Sequence, residues 1–345
     1  MADLKLCVWN VEWMNDLFGS NDLPPAFRPD SDKPAHASGS TVRKRRDDLS
    51  GVIDDLAPDV VVVVEGPNRS GELQLFFDED VQGDWLCHIQ NSKGQAQNLG
   101  LAVRTDQGKF NDPPFKAFDT NNLQQFGEFL VDTDDDEIEE IYHFERRPLY
   151  AEINPQNGRN FSILGLHLKS KGIFDAYEWS KWWAVADANR RKILAQATQI
   201  RLQFLDAFLR DPLTQNHPLL VCGDINDGPG MDASEKRLFG SGVERLMGSI
   251  WEPALCLGNS LYDSMSVADR ENLNFEAVRT TRFKDPIFND VTHSAWIDHI
   301  LYSKNTPQPW VILGKVNERL PDDSLIWRKY KHASDHFPLT ATISV

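Results

Sequence analysis

Apolar positions along this chain fall into two patterns. Residues 4–11 (LKLCVWNV) alternate with the period of a strand, whereas 41–56 (TVRKRRDDLSGVIDDL) put Leu49, Val52, Ile53 and Leu56 at helical spacing. Pro58 ends that helix, and DVVVVVE follows at 59–65. A β-branched run this uniform would leave apolar surface in water on a half-exposed strand, so it is expected in a sheet covered on both faces. Further strands are predicted at 85–90, 99–104, 148–153, 160–168, 217–223, 296–303 and 338–344. A helix is predicted over most of 176–210, which lacks Gly and Pro and carries Ile193, Leu194, Ala197, Ile200, Leu205 and Phe208. Strands and helices interleave throughout, which is an α/β pattern.

Two segments break the pattern. Residues 15–40 are polar with four prolines and read as a long surface loop; 132–140 (DTDDDEIEE) read as a solvated hairpin tip. The acidic run lacks the Gly and terminal Glu of an EF-hand loop, so it is not an added calcium site. The 345 residues fit one large domain, and 41% hydrophobic content is too high for disorder. No apolar run approaches the ~20 residues of a membrane span. The opening MADLKLCVWNVEW has no secretory pattern. Cys7, Cys87, Cys222 and Cys256 lie far apart, outside any zinc-ligand spacing, and a reducing, cytoplasmic setting is expected. Net charge is −16, from 36 basic and 52 acidic residues. That excludes nucleic-acid binding through a general positive field; a polyanionic substrate would need local basic patches, bound cations, or both.

Several predicted strands end in a group that chemistry could use. The first ends with Asn10 and Glu12, and the Val run with Glu65. FSILGLHLKSK delivers His167, then Lys169 and Lys171, and LLVCGDINDGPG delivers Asp224 and Asn226. AWIDHILYS holds Asp298 in an apolar segment, and ASDHFPLTATI sets Asp335 and His336 before the last strand. Each has an ordinary explanation: Glu65 could begin a turn, Asp298 could be a core acid paired with arginine, His167 could be a satisfied core histidine. Acids in apolar strands are costly unless paired or metal-bound, however, and several in one chain point to a shared site.

In this order, Asn10 in WNVEW, Glu65 in VVVVEG, His167 in HLKSK, Asp224 and Asn226 in GDIND, Asp298 in IDHIL and Asp335–His336 in SDHFP resemble the endonuclease/exonuclease/phosphatase superfamily. The resemblance runs from residue 6 to the C-terminus. It implies a four-layer α/β sandwich, two mixed or antiparallel sheets packed face to face with helices outside, as one domain over 1–345 with loop insertions around 15–40, 110–146 and 171–190. It also implies metal-assisted hydrolysis of a phosphate ester, with Mg2+ or Mn2+ held by Glu65 and its neighbours Asn10, Glu12 and Asp335. Asp224 would orient and deprotonate the water, and Asn226 would hold a phosphate oxygen. Asp298 would fix the tautomer of His336 and raise its pKa, and His167 would donate to the phosphoryl oxygens or assist the leaving group. His299 stands where relatives often carry Tyr or Arg; strand alternation points it away from the cleft of Asp298, and the missing Arg argues against an inositol substrate.

Substrate choice is less legible. Arg146 or Arg147, in FERRPLYAEI, could grip a backbone phosphate or pair with Glu145 and the acidic run. Lys169 shares a strand face with His167 and is a third candidate phosphate contact. The runs Arg43–Arg46 and Arg190–Lys192 are basic patches or charge balance. In 173–183 (IFDAYEWSKWW), Trp179, Trp182 and Trp183 lie at helical spacing, which fits core packing or a flap that stacks on splayed bases. The preferred reading is a nuclease of DNA or RNA, with nucleic acid as partner and no membrane, since no apolar surface stretch suggests docking. The alternative is a phosphatase or phosphodiesterase of a small-molecule or lipid head-group ester. A non-catalytic binding protein on the same fold ranks last, because every expected site residue is present.

Overall fold

In β1 (Asp3–Asn10), side chains at alternate positions enter two different cores. Leu4, Leu6 and Val8 face one, and Cys7 and Trp9 face another. The next strand of the computed structural model, β2 (Val60–Gly66), does the same: Val60, Val62 and Val64 join the first core, Val61 and Val63 the second. Both faces of the Val run are therefore covered, as its composition predicts. The structure describes residues 3–345 except 20–22, 37–39, 95, 134–136, 173–178, 230–237, 239, 273, 286–290 and 305–309.

Around β1 and β2 lie α1 (Val42–Leu56), α2 (Ser70–Asp80), β3 (Trp85–Gln90) and β4 (Asn98–Arg104). The middle of the chain gives β5 (Phe110–Phe118), β6 (Phe129–Val131), β7 (Glu140–Tyr142), β8 (Leu149–Pro155), β9 (Phe161–His167), α3 (Trp182–Ile200) and α4 (Asp206–Arg210). Then come β10 (Leu219–Asp224), α5 (Gly242–Met247), β11 (Leu257–Asn259), α6 (Ser260–Ser264) and α7 (Val267–Glu271). The chain finishes with β12 (Thr281–Asp285), β13 (Val291–Ala295), β14 (Asp298–Ser303), β15 (Val311–Val316), α8 (Ile326–Lys329) and β16 (Leu339–Ser344).

Two six-stranded sheets result, ordered β15-β16-β1-β2-β4-β3 and β11-β14-β10-β9-β8-β5. Each has one parallel pair at its middle, β1–β2 and β9–β10, and antiparallel pairs elsewhere. The inner core joins Leu4, Val62 and Leu339 of the first sheet to Ile163, Leu220 and Ile300 of the second. One outer core sets Leu49, Val52 and Phe76 of α1 and α2 against the first sheet; the other sets Ile193, Ala197 and Ile200 of α3 against Leu164 and Val221 of the second. The architecture is the four-layer α/β sandwich expected. No described helix is long and apolar enough to cross a membrane.

Differences from expectation have local causes. Residues 110–146 are not simply a loop: β5 forms an edge of the second sheet and β6 pairs with β7 across the acidic run. Pro113 and Pro114 cannot donate ladder hydrogen bonds, which confines β5 to an edge and coincides with its register shift between Phe110 and Phe115. In 171–190, α3 already begins at Trp182, and the helix over 176–210 widens into a π-turn at Arg201–Leu205. Residues 173–178 lie outside the described residues. Trp183 is half exposed, so core packing does not account for it. In 15–40, Leu17 and Phe18 are buried beneath the loop.

The arginine run on α1 is not an open basic patch. Arg45 is fully buried and donates to the carbonyls of Val11, Glu12 and His332. Arg46 clamps Asp80 (2.7 Å) and Glu79 (3.0 Å), Arg43 pairs with Asp47 (2.6 Å), and Lys44 with Asp48 (2.7 Å). Lys192 pairs with Glu145, and Arg190 approaches Asp227.

β9 and β10 approach closely at Gly223, whose φ is +130° and where an added Cβ would lie 2.1 Å from the Leu166 carbonyl oxygen. Gly223→Ala is therefore expected to destabilise the protein by about 3 kcal/mol or more, read as a lower urea midpoint. An unchanged midpoint would contradict this packing.

Candidate active site

Strand alternation builds most of the site. Leu4, Leu6 and Val8 point between the sheets, so Asn10 at the end of β1 does too. Phe161 and Ile163 lead in the same way to His167, Leu220 and Cys222 to Asp224, and Ile300 back to Asp298. The ladders put Asp224 opposite both His167 and Asp298. Four polar side chains thus converge, buried, at one edge of the space between the sheets.

Glu65 arrives differently. Val61 and Val63 face the helices, and strict alternation would send Glu65 the same way. The β2–β4 register shifts between Val63 and Gly66, and Glu65 has φ +60°, which turns it into the cleft. There it accepts from Asn10 Nδ2 (3.2 Å), Trp13 N (2.9 Å) and Gln97 Nε2 (2.5 Å). Asn10 Nδ2 also donates to Asp224 (3.1 Å), and its Oδ1 accepts from Glu12 N. Asn10 thus ties the two sheets together at the site.

The two histidines carry opposite electrostatic settings. Burial works against a charged His336, but Asp298 and Asp335 outweigh it and hold its pKa well above the usual range. Its Nδ1 lies 2.8 Å from Asp298 Oδ2, and its Nε2 faces Asp224 at 3.9 Å. Burial, then Arg146 and His336, push His167 well below its usual pKa, so it is neutral. Arg146 lies against both ring nitrogens, its Nε 3.1 Å from His167 Nδ1 and its Nη2 2.9 Å from Nε2, and Nε2 lies 3.8 Å from Glu65 and 3.9 Å from Asp224. Asp224 is raised above the usual carboxylate range by burial and by Asp298, with His336 opposing.

Loops complete the constellation. Asn226, at φ +56°, donates from Nδ2 to the Leu168 carbonyl (3.1 Å) and from its main chain to Asp224 (2.8 Å). Asp335 Oδ1 lies 3.9 Å from His336 Nε2. Of the two arginines, Arg146 reaches the site, while Arg147 binds Ser92 Oγ through its main-chain N–H (2.9 Å). Lys169 is half-buried, its main-chain N–H on Gln196 Oε1 (2.9 Å). His299 points away, as alternation predicts, toward Asn259 (3.2 Å) and the Asp227 carbonyl (2.8 Å).

Four supporting groups were not legible. Gln97 and the Trp13 N–H orient Glu65, Thr280 Oγ1 accepts from Asp298 N (3.0 Å), and Ser334 Oγ links the Asn10 carbonyl to His336 N. Only Ser334 carried a signal, as the first residue of SDHFP.

The donor set fits a hard divalent cation. Glu12 Oε2 is buried without a hydrogen-bond partner, with Arg45 at 3.7 Å. Burial, then Asp335, raise the pKa of Glu12, and Glu65 adds to the rise. Carboxylates crowded in this way are relieved by a cation, and oxygen donors suit Mg2+ or Mn2+. Asp224, Asp298 and His336 form a second cluster, with one ligand atom each within 4.8 Å of the others.

Comparison with known proteins agrees with this fold. The model of the endonuclease/exonuclease/phosphatase family matches residues 7–336. Among solved structures, truncated Caenorhabditis elegans TDP2 is similar at TM-score 0.51 and 11% identity, covering 99% of this chain and 98% of its own. The human Nocturnin catalytic domain with bound sulfate gives 0.52 and 16%, covering 99% and 93%. A Bacteroides thetaiotaomicron protein of the same family gives 0.50 and 14%, covering 99% and 95%. At these identities the likeness is one of fold. No curated protein matches the chain in sequence.

Proposed function

The chain belongs to the endonuclease/exonuclease/phosphatase family, and we propose that it is a metal-dependent phosphodiesterase, foremost a nuclease acting on DNA or RNA. The observation that carries this reading is the Asp298–His336 pair, an imidazolium held 3.9 Å from the buried carboxylate of Asp224.

Glu65, Glu12 and Asp335, with the Asn10 amide, would hold the cation. When bound, a divalent ion neutralises phosphoryl oxygens and the departing alkoxide. Asp224 orients the attacking water and accepts its proton as the oxygen bonds to phosphorus. Asp298 fixes His336 with its Nε2–H toward the cleft, and that charged donor stabilises the growing negative charge. Neutral His167 donates its ring N–H to a phosphoryl oxygen, its ring held by Arg146, whose charge adds to the same field. Asn226 supplies a polar contact to the phosphate.

A second reading, hydrolysis of a small-molecule or lipid head-group ester, is favoured by one observation: the arginine run on α1 is consumed by internal partners and offers no surface for a long polyanion. Hydrolysis of plasmid DNA, a labelled single strand, RNA and a chromogenic phosphodiester, with Mg2+, Mn2+ or EDTA, separates the readings. Polynucleotide cleavage abolished by EDTA and restored by Mg2+ or Mn2+ is expected. Turnover of the small ester alone would favour the second reading, and turnover indifferent to EDTA would overturn both.

A further inference from the structure

Most cations near the site have acidic partners, but one group beside it does not. The β12–β13 hairpin is joined to the site by its main chain: Arg282 N and Thr281 Oγ1 both donate to the Asp335 carbonyl, at 2.8 and 3.0 Å. Thr281 is buried, so alternation turns Arg282 and Lys284 to the opposite, exposed face. The Arg282 guanidinium lies 5.1 Å from the ring centroid of Trp327, and that of Arg328 lies 4.8 Å from it. Trp327 is 39% exposed, and neither arginine enters an ion pair among the described residues.

The platform is held from beneath. Ile326 is buried in the outer core, Lys329 pairs with Asp55 (2.7 Å) and Asp322 (3.1 Å), and Tyr330 Oη donates to Asp55 (2.7 Å). These anchors leave Trp327 and Arg328 facing outward. An exposed indole with two guanidinium groups over its ring, neither in an ion pair among the described residues, combines a stacking surface with a local positive field on a protein of net charge −16.

We propose that Trp327, with Arg282 and Arg328, stacks a nucleobase and holds the adjoining phosphate of a single-stranded polynucleotide leaving the site past Asp335. The proposal rests on the phosphodiesterase reading for what happens at the site, and it makes the substrate a single strand. A duplex keeps its bases stacked inside and presents none to the ring, whereas every base of a single strand has a free face.

Fluorescence anisotropy of a labelled fifteen-residue oligothymidylate, in EDTA so that no cleavage occurs, tests it. Trp327→Ala is expected to weaken binding about tenfold, and Trp327→Phe to keep most of it. Arg282→Gln is expected to flatten the slope of log K against log salt by about 0.7, the loss of one phosphate contact. Arg159→Gln, at the opposite end of β9, leaves binding unchanged. With Mg2+, the Trp327→Ala loss appears in KM, with kcat within about twofold of wild type. Equal binding by wild type, Trp327→Ala and Arg282→Gln overturns the platform. So does a wild type that hydrolyses a small phosphodiester yet does not bind the oligonucleotide, and that outcome leaves the phosphodiesterase reading standing. Binding that depends on Trp327, without hydrolysis of any diester, supports the platform and overturns the catalytic reading instead.

Discussion

Asp224→Asn is expected to lower kcat by about three orders of magnitude or more on whichever phosphodiester the protein cleaves, because the group proposed to take the proton of water is gone. The amide keeps the shape of the carboxylate, but its single oxygen can accept from only one of Asn10 Nδ2 and Asn226 N, which the two carboxylate oxygens now serve together. Stability should not fall with activity. Folding raises the pKa of Asp224 through burial and the nearby Asp298. A carboxyl raised in this way contributes stability below its unfolded pKa of about 4, and that contribution is lost as pH rises through its folded value. At neutral pH the ionised carboxylate therefore strains the fold, and a neutral amide removes the strain. The lost acceptor offsets that relief, so the variant should melt close to the wild-type temperature in metal-free buffer. Loss of activity together with a lower melting temperature would point to a structural role for Asp224.

Asp298→Asn is the second large effect. Asp298 is the leading group that raises His336, against the opposing effect of burial. Without the carboxylate, His336 loses its proton at lower pH, and the ring loses the acceptor that holds its Nδ1–H. A fall in kcat of about a hundredfold or more is expected at pH 8, with a smaller fall at pH 6. In the wild type, the profile should rise as Asp224 loses its proton and fall on the alkaline side as His336 loses its own; in the variant the alkaline limb moves to lower pH. Stability follows the same sign. The raised His336 contributes stability fully present below its unfolded pKa of about 6.5 and lost as pH rises through the folded value. The stability difference between wild type and variant should therefore shrink toward high pH. An alkaline limb that stays in place would remove His336 as the charged donor.

How far the site could be read from the sequence depended on how each residue reaches it. Asn10, His167, Asp224 and Asp298 extend inward-facing rows of regular strands, and a period of two carries them to the cleft. The same rule sent His299 away. Glu65 was readable only as the end of an apolar run and through its place in a resembling order of motifs. Its entry depends on a register shift and a left-handed backbone, which alternation would have missed. Gln97 and Thr280 act from loops far along the chain, with no local pattern to mark them.

The charge runs show the opposite limit. In RKRR, the i,i+4 partners of Arg43 and Lys44, Asp47 and Asp48, stand in the sequence, but those of Arg45 and Arg46, namely Asp30, Glu79, Asp80 and the carbonyls of Val11, Glu12 and His332, are distant or are backbone atoms. Meanwhile Arg282 and the adjacent pair Trp327–Arg328, far apart in the chain, meet beside Asp335. β5 escaped notice because its prolines break the pattern that marks a central strand.

By itself, the sequence determined the elements with strong periodicity, the two-sided burial of the Val run, and the strand ends that carry the polar groups, because side-chain period and burial are local properties. The tertiary structure decided which strand ends face one another, the turn that brings Glu65 in, the charge states of His167 and His336, and which cations are left facing solvent. Those depend on distances between residues far apart in the chain, and both electrostatic coupling and desolvation are set by such distances.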